Sequence, residues 1–364
     1  MNGDARTRFQ QAWRNGWLWL GKLVTWRQQF SFCAAIMKIA SFNIQKFGRN
    51  KVSDPDVLNI LVKIVSRYDI LVILEVVDAS GASVKTLMDA LNNSSSKHHY
   101  TLKISSRLGR TRYKEQFMFL YRDDLVDLVG SYQFDDQVTE GGDIFARDPY
   151  ILRFRCLSTV LKDLVMIPVH TKPEDSDKEL DELYDVFQHV KKKWRTDNIM
   201  ILGDFNADGS YVTKSDMKNI RIRSDKNFHW LIGDDVDTTA STGNDHTYDR
   251  IVIYGDDMLQ AIVPSSAKPF NFQEAYGLSE EQALKVSDHY PVEVELKSIA
   301  ATTDEEIDLR KPKPQQFQSL GLVLMDGDLL ELKKGNLLLE REKLSLEIQI
   351  LQLKMAKMNC NDAV

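Results

Sequence analysis

Several stretches of this chain end in side chains that can hold a cation or move a proton. Asn43 closes Lys38-Ile-Ala-Ser-Phe-Asn, and Glu75 closes Asp69-Ile-Leu-Val-Ile-Leu-Glu. His170 closes Val165-Met-Ile-Pro-Val-His, Asp204 and Asn206 follow Ile199-Met-Ile-Leu-Gly, and Asp288-His289 precede the final apolar run. A charge placed behind a run of apolar residues is costly unless it is paired or bound to a metal. Asn43, Glu75 and Asp288 offer only oxygens, which suits Mg²⁺, Mn²⁺ or Ca²⁺ rather than zinc. His170 and His289 have carboxylates available to them in Glu115 and Asp249. A carboxylate that holds an imidazole fixes its tautomer and raises its basicity. Oxygen ligands together with two His–carboxylate pairs fit metal-assisted hydrolysis of a phosphodiester. Lys103, Arg107, Arg110, Arg112, Tyr113, Lys114 and Arg122 crowd one stretch that can meet a phosphate backbone.

Each of these signals also has a plainer reading. Ser287-Asp288-His289 alone reads as a turn, and Gly203-Asp-Phe-Asn as a strand–turn junction. The basic stretch reads as a solvated hairpin face. Lys191-Lys-Lys reads as the last turn of a helix, where cations meet the negative end of the dipole. His98, His99, His189, His229 and His246 read as solvated or satisfied histidines.

The elements that must position these groups alternate along the chain. Lys38–Ile44, Asp69–Glu75, Glu115–Tyr121, Ile151–Phe154, Lys162–His170, Ile199–Gly203, Arg250–Tyr254 and Pro291–Leu296 read as strands, several of them continuously apolar as strands buried on both faces are. Val57–Ile64 and Ser176–Lys193 have helical spacing. Many strands with a few helices suit an α/β, four-layer αββα sandwich, two packed mixed sheets with helices outside. The chain has 364 residues, 43% hydrophobic and 27% charged, which is enough for a real core. A net charge of −6 excludes a uniformly basic nucleic-acid binder but not a basic face on an acidic body. The cysteines, Cys33, Cys156 and Cys360, are too dispersed for a disulfide scaffold or a multi-cysteine zinc site, which fits a reducing compartment. No apolar run is long enough to span a membrane, so no membrane association is expected.

The ends of the chain differ from the middle. Residues 1–36 hold Trp13, Trp17, Trp19 and Trp26 among basic residues. Lys22 and Arg27 interrupt the apolar stretch a signal peptide needs, so this segment reads as a poorly ordered or surface-docked leader, with Met37 as an alternative start. The folded domain is expected over 37–297, a linker with Pro312 and Pro314 over 298–327, and an amphipathic helix over 328–358. Leu330, Leu337, Leu344 and Leu351 recur every seven residues, with Ile348 and Met355 on the same seam. That is a short coiled coil, able to form a homodimer or to bind a partner helix, or else a helix packed on its own domain.

Taken together, the middle of the chain resembles the deoxyribonuclease I family within the endonuclease/exonuclease/phosphatase superfamily. The resemblance runs from about Lys38 to Leu296. Its landmarks are Lys38-Ile-Ala-Ser-Phe-Asn-Ile, Ile73-Leu-Glu-Val, Tyr113-Lys-Glu, Arg147-Asp-Pro, Val169-His, Gly203-Asp-Phe-Asn-Ala-Asp-Gly-Ser-Tyr-Val, Thr247-Tyr-Asp-Arg, Tyr276-Gly-Leu-Ser and Ser287-Asp-His-Tyr-Pro-Val. It implies a nuclease that cuts double-stranded DNA with Mg²⁺ or Mn²⁺ and leaves 5′-phosphate ends. Glu75 would be the main metal ligand, with Asn43, Asp288 and Asp204 nearby. His170 with Glu115, and His289 with Asp249, would be the acid–base pairs. One histidine would activate water, and the other, or a water on the cation, would protonate the leaving 3′ oxygen; which does which stays open. Asn206, Arg110, Tyr113, Arg147 and Tyr211 would contact substrate. A calcium loop would involve Asp237, Thr239 and Ser241, and a second one Asp143, Phe145 and Asp148, with calcium stiffening loops.

Departures from the family pattern also carry information. Val77 stands where the family often has a DNA-contacting arginine. Gly209 and His246 stand where secreted members pair two cysteines, and the small disulfide loop before Arg147 is absent, a loss of roughly 2–4 kcal/mol for a secreted nuclease. An intracellular member, in cytoplasm or nucleus, is therefore expected, with secretion as the alternative. The competing functions are a phosphatase or abasic-site nuclease of the same superfamily, and a dimerising adaptor acting through the C-terminal helix. Leu344→Pro is expected to abolish a tail-driven dimer and to spare nuclease activity.

Overall fold

The computed structural model describes residues 36–95, 97–136 and 142–299. The leader up to residue 35, most of the expected linker and the heptad segment lie outside the described residues. In chain order the elements are β1 (Met37–Phe47), α1 (Pro55–Val65), β2 (Ile70–Val76), α2 (Ala82–Ser94), β3 (Tyr100–Ile104), β4 (Gln116–Arg122), β5 (Val126–Gln133), β6 (Tyr150–Cys156), β7 (Asp163–His170), α3 (Ser176–Trp194), β8 (Ile199–Asp204), β9 (Phe228–Trp230), β10 (Asp249–Tyr254), β11 (Lys268–Pro269), α4 (Glu280–Val286) and β12 (Val292–Leu296), with shorter helical turns between them. None of the described helices is long and apolar enough to cross a membrane.

Two six-stranded mixed sheets result, ordered β11-β12-β1-β2-β4-β3 and β5-β6-β7-β8-β10-β9. Each has one central parallel pair, β1 with β2 and β7 with β8. The side chains of each strand alternate between two apolar layers. Ile39, Ile70, Val72 and Phe119 of the first sheet meet Phe154, Met166, Met200 and Ile251 of the second. On the outer side of the first sheet, Phe42, Leu71 and Ile73 pack against Leu61 and Ile64 of α1, Leu87 of α2 and Val286 of α4. On the outer side of the second, Val165, Ile167 and Ile201 pack against Leu180, Leu183, Phe187 and Val190 of α3. The order is helix, sheet, sheet, helix: the αββα sandwich. Covering both faces explains why the central strands read as continuous apolar runs.

Local chemistry sets the helix limits. Asp54 caps α1 by accepting from Asp56 N and Val57 N, with Pro55 at the first helical position. Ser279 and Gln282 form a reciprocal capping box at the start of α4. Lys191, Lys192 and Lys193 do lie in the last turn of α3.

The structure adds elements that apolar periodicity does not reveal. β3 and β5 are edge strands with mixed exposure, and the β5–β6 register shifts between Leu128 and Gly130. The basic stretch is not one face. Lys103, Arg107 and Arg112 are exposed, whereas Arg122 sits half-buried, with Nη1 2.5 Å from Asp69 Oδ1. Arg122 belongs to the far end of the sheet because β4 runs antiparallel to β2. Ser298, expected in the linker, still pairs with Thr159.

Candidate active site

Strand register brings the chemical groups to one rim. β1 and β2 run parallel with Asn43 level with Leu74, so Asn43 and Glu75 leave the sheet together. β7 and β8 run parallel with His170 level with Asp204, and Asp249 of β10 is level with Asp204. Carboxyl ends of parallel strands are where open α/β sheets place ligand sites. The two sheets are joined there by Asn43, whose Nδ2 donates to Glu75 Oε1 at 3.1 Å and to Asp204 Oδ2 at 3.0 Å.

The backbone at the rim is strained in ways that aim these groups. Glu75 has φ +57° and Asn206 φ +46°, uncommon for residues with a Cβ. Gly203 has φ +146°, and a Cβ there would lie 1.9 Å from Val169 O, so only glycine lets β8 approach β7 just before Asp204.

Both imidazoles are held from behind. His170 Nδ1 lies 2.8 Å from Glu115 Oε2, and Arg147 Nη2 donates to Glu115 Oε1 at 2.7 Å. His289 Nδ1 lies 2.6 Å from Asp249 Oδ2. An ionised carboxylate only accepts, so each Nδ1 carries a hydrogen and each Nε2 is left toward the cleft. Between the rings stands Asp204, with Oδ2 3.7 Å from His170 Nε2 and 3.8 Å from His289 Nε2. Its Oδ1 accepts from Asn206 N at 3.0 Å.

The electrostatics follow from this crowding. Burial opposes ionisation of Glu115, but His170 and Arg147 outweigh it and hold the carboxyl down to about 2. Burial and then Arg147 press His170 toward its neutral form; Glu115 and Asp204 prevail and raise it. Burial likewise opposes charge on His289, yet Asp249, Asp204 and Asp288 lift it to about 10. Burial pushes Asp249 up to about 6 against the pull of His289. For this coupled pair the positive charge resides on the ring, because three carboxylates surround it. A cation among those carboxylates would oppose that charge.

A hard divalent cation fits the donor set. Asn43 Oδ1 and Asp288 Oδ1 are buried oxygens with no hydrogen-bond partner among the described residues. Such acceptors need a donor or a cation. Asp288 Oδ2 accepts from Gln45 Nε2 at 2.6 Å, and Glu75 Oε2 from Lys46 N at 3.0 Å. Glu75, Asn43, Asp288 and Asp204 would hold the ion, all through oxygen.

The remaining predicted residues divide. Arg147 lies at the rim, with Nη2 on Glu115 and Nη1 at 3.4 Å from the His170 and Thr171 carbonyls. Arg110 is exposed, with Nη2 donating to Asp143 O at 2.5 Å and Ile144 O at 2.7 Å. Asn206 Nδ2 donates to Thr171 O at 3.1 Å. Tyr113 and Tyr211 are exposed aromatics; burial, Glu115 and Glu75 push the Tyr113 hydroxyl well above its ordinary range. Asp237, Thr239 and Ser241 share one loop, where Thr239 Oγ1 lies 2.7 Å from Asp237 Oδ1 and 2.6 Å from Asn244 Oδ1. Around the second loop, Asp135, Asp136 and Asp148 bring carboxylate oxygens within 4.8 Å of one another. Burial and Asp136 push Asp148 up to about 7. Asp135 and Asp136 therefore join that loop's acids, while Asp143 pairs with Arg110.

Sequence reasoning misses a supporting layer. Ser287 Oγ donates to Asn43 O at 2.6 Å and accepts from His289 N at 3.2 Å. Lys51 Nζ donates to Lys285 O and Val286 O, both at 2.9 Å, placing a cation at the carbonyl end of α4 just before Asp288. Buried Arg250 donates to the Thr247 and Ile232 carbonyls at 3.0 and 3.1 Å. Glu179 Oε1 accepts from Lys172 N at 3.1 Å and Ala146 N at 3.3 Å, tying α3 to the segment that carries Arg147 and to the one that follows His170. Only Ser287 and Arg250 have a sequence signal, since each adjoins a candidate site residue.

Comparison with known proteins agrees with this architecture. Residues 40–289 match the model of the Endonuclease/Exonuclease/phosphatase family. Human deoxyribonuclease gamma is 44% identical over 281 residues, covering 76% of this chain and 92% of that protein. Rabbit (Oryctolagus cuniculus) deoxyribonuclease-1 is 47% identical over 264 residues, covering 72% and 93%. Among solved structures, humanized D. rerio TDP2 superposes with a TM-score of 0.50 at 15% identity over 72% of this chain and 99% of that one, a likeness of fold. The chain therefore belongs to the endonuclease/exonuclease/phosphatase family, within its deoxyribonuclease I branch.

Proposed function

We propose that this chain is a divalent-cation-dependent endonuclease that hydrolyses phosphodiester bonds of double-stranded DNA and leaves 5′-phosphate ends. The observation that carries the reading is the placement of Asp204 between the Nε2 atoms of two carboxylate-held imidazoles, 3.7 and 3.8 Å away, beside buried partnerless oxygens. The bound cation would screen charge building up on the phosphate. The chain's own groups do the rest. Glu115 and Asp249 keep each Nδ1 protonated, so proton exchange is confined to the Nε2 atoms. One Nε2 takes a proton from the attacking water, and the other returns one to the departing 3′ oxygen. Exposed Tyr113 and Tyr211 can pack against sugar or base, and half-buried Arg147 keeps Glu115 ionised and in place. DNA as substrate rests on the deoxyribonuclease relatives and on the exposed cations Lys46, Arg49 and Arg112.

The test is nicking of supercoiled plasmid by the full chain in Mg²⁺, with labelling of the new ends. The expected result is open-circular product with 5′-phosphate termini, loss of cleavage in EDTA, and a steep fall with salt. Cleavage that persists in EDTA, or ends bearing 3′-phosphate, overturns the reading.

A further inference from the structure

The loop that follows β8 is closed onto the segment entering β10 by a contact the proposed chemistry does not use. Asp208 Oδ2 accepts from Thr247 N at 2.9 Å and lies 3.2 Å from His246 Nδ1. Gly209, at φ +63°, makes room for the ring, since a Cβ there would fall 2.9 Å from His246 Cε1. The imidazole stacks on Tyr248, with centroids 4.8 Å apart and planes at 29°. Tyr248 in turn packs 5.8 Å from Tyr211 and 6.3 Å from His289. Behind the ring, His246 O accepts from Thr238 N at 3.0 Å, and the Thr238 hydroxyl accepts from Tyr248 N at 3.0 Å and Asp249 N at 3.1 Å. His246 thus stands at the foot of a row of rings that ends on one side at exposed Tyr211 and on the other at a candidate catalytic imidazole.

We propose that Asp208 and His246 form a positioning clasp. It fixes the Asn206–Val212 loop and Tyr248 so that Tyr211 and Tyr248 make one wall of the substrate groove, and it sets how tightly a nucleic-acid strand is held beside the cleft. Reaction at phosphorus stays with the two Nε2 atoms. The proposal rests on the reading above that Tyr211 faces substrate. It differs from a simply rigid loop in that the imidazole's share of the closure, the hydrogen bond to Asp208 and the stack on Tyr248, can be removed while the Thr247 N–Asp208 and Phe205 N–Tyr248 O bonds remain.

Two measurements on the full-length protein test it. The first is binding of a fluorescein-labelled DNA duplex in EDTA, read by anisotropy; the second is kcat and KM for cleavage in Mg²⁺. H246A is expected to weaken binding and raise KM about tenfold, the size of one lost stacking contact, with kcat within about twofold. H246N retains a donor near the Nδ1 position and is expected to recover part of that loss; D208N is expected to lose less than H246A because its side chain still accepts from Thr247. If H246A is poorly folded, D208N and H246N carry the test, and both must weaken binding. Binding by H246A as tight as wild type, no recovery in H246N, or a fall in kcat at unchanged KM overturns the clasp. A wild type that binds but does not cut overturns the nuclease reading and leaves the clasp standing if H246A binds more weakly. A wild type that cuts while H246A binds equally well overturns the clasp alone.

Discussion

The two ends of the sandwich both bury charge, and they do it in opposite ways. At the end where β1, β2 and β12 meet Arg67 and Arg122, each carboxylate has its own donors. Asp69 accepts from Lys38 N at 2.7 Å and pairs with Arg122 at 2.5 Å. Glu293 accepts from the Tyr68 hydroxyl at 2.9 Å and from Arg67 at 3.1 Å. At the rim, five residues further along β1 and so about 16 Å away, Asp204, Glu75, Asp288 and Asp249 share two imidazoles and two side-chain amides, Asn43 and Gln45, with oxygens left over. The first arrangement neutralises its charges internally, whereas the second is incomplete without something positive.

The largest expected effects come from exchanging substitutions between the ends. His289→Ala or His170→Ala should lower kcat of the folded protein on the order of 10²-fold or more, measured by plasmid cleavage, and should also lower the melting midpoint, because each leaves a buried carboxylate, Asp249 or Glu115, without its imidazole. Arg122→Met at the other end should touch stability alone. It strands a buried carboxylate, costs about 3 kcal/mol of stability, and leaves kcat of the folded fraction within about twofold, because the sites are too far apart to couple. Loss of activity in Arg122→Met with unchanged stability would erase the contrast between the ends.

A middling effect is expected on cation demand. Glu75→Gln should raise the Mg²⁺ concentration for half-maximal cleavage on the order of tenfold. An unaltered Mg²⁺ midpoint would remove Glu75 from the ligand set.

The smallest effect concerns pH. Glu115 is held at about 2 in the fold, below its ordinary 4.5. A depressed carboxyl contributes stability that is complete above its unfolded value and is lost as pH falls through its folded value. Wild type should therefore lose stability between about 4.5 and 2 more steeply than Glu115→Gln, in melting midpoints taken across that range. Parallel curves for the two proteins would contradict the Glu115–His170–Arg147 assignment.

What was legible in the sequence follows the same division. Central strands announce themselves because both faces are covered, and the polar residues that end them stand out against apolar runs: Asn43, Glu75, His170 and Asp204. Edge strands β3 and β5 do not, since half of their surface is solvated. Arg122 was legible as a cation but not as a far-end partner of Asp69, because direction within an antiparallel pair is set by the fold. Likewise Arg110 and Arg147 read as phosphate contacts, and spacing does not show that some of their N–H groups are also held by carbonyls and by Glu115. Lys51 and Glu179 act on backbone groups far away in sequence, and no spacing rule carries that information.

The rim is expected to be charge-incomplete without a divalent cation. Melting midpoints in rising Mg²⁺, for wild type and for the Glu75→Gln/Asp288→Asn double variant, test it most directly. Ligand binding to the folded state alone raises stability by about 2.7 kcal/mol at a hundredfold excess over Kd. Wild type should start lower or equal in EDTA and climb well beyond the double variant as Mg²⁺ is added; identical climbs in the two proteins would contradict the account.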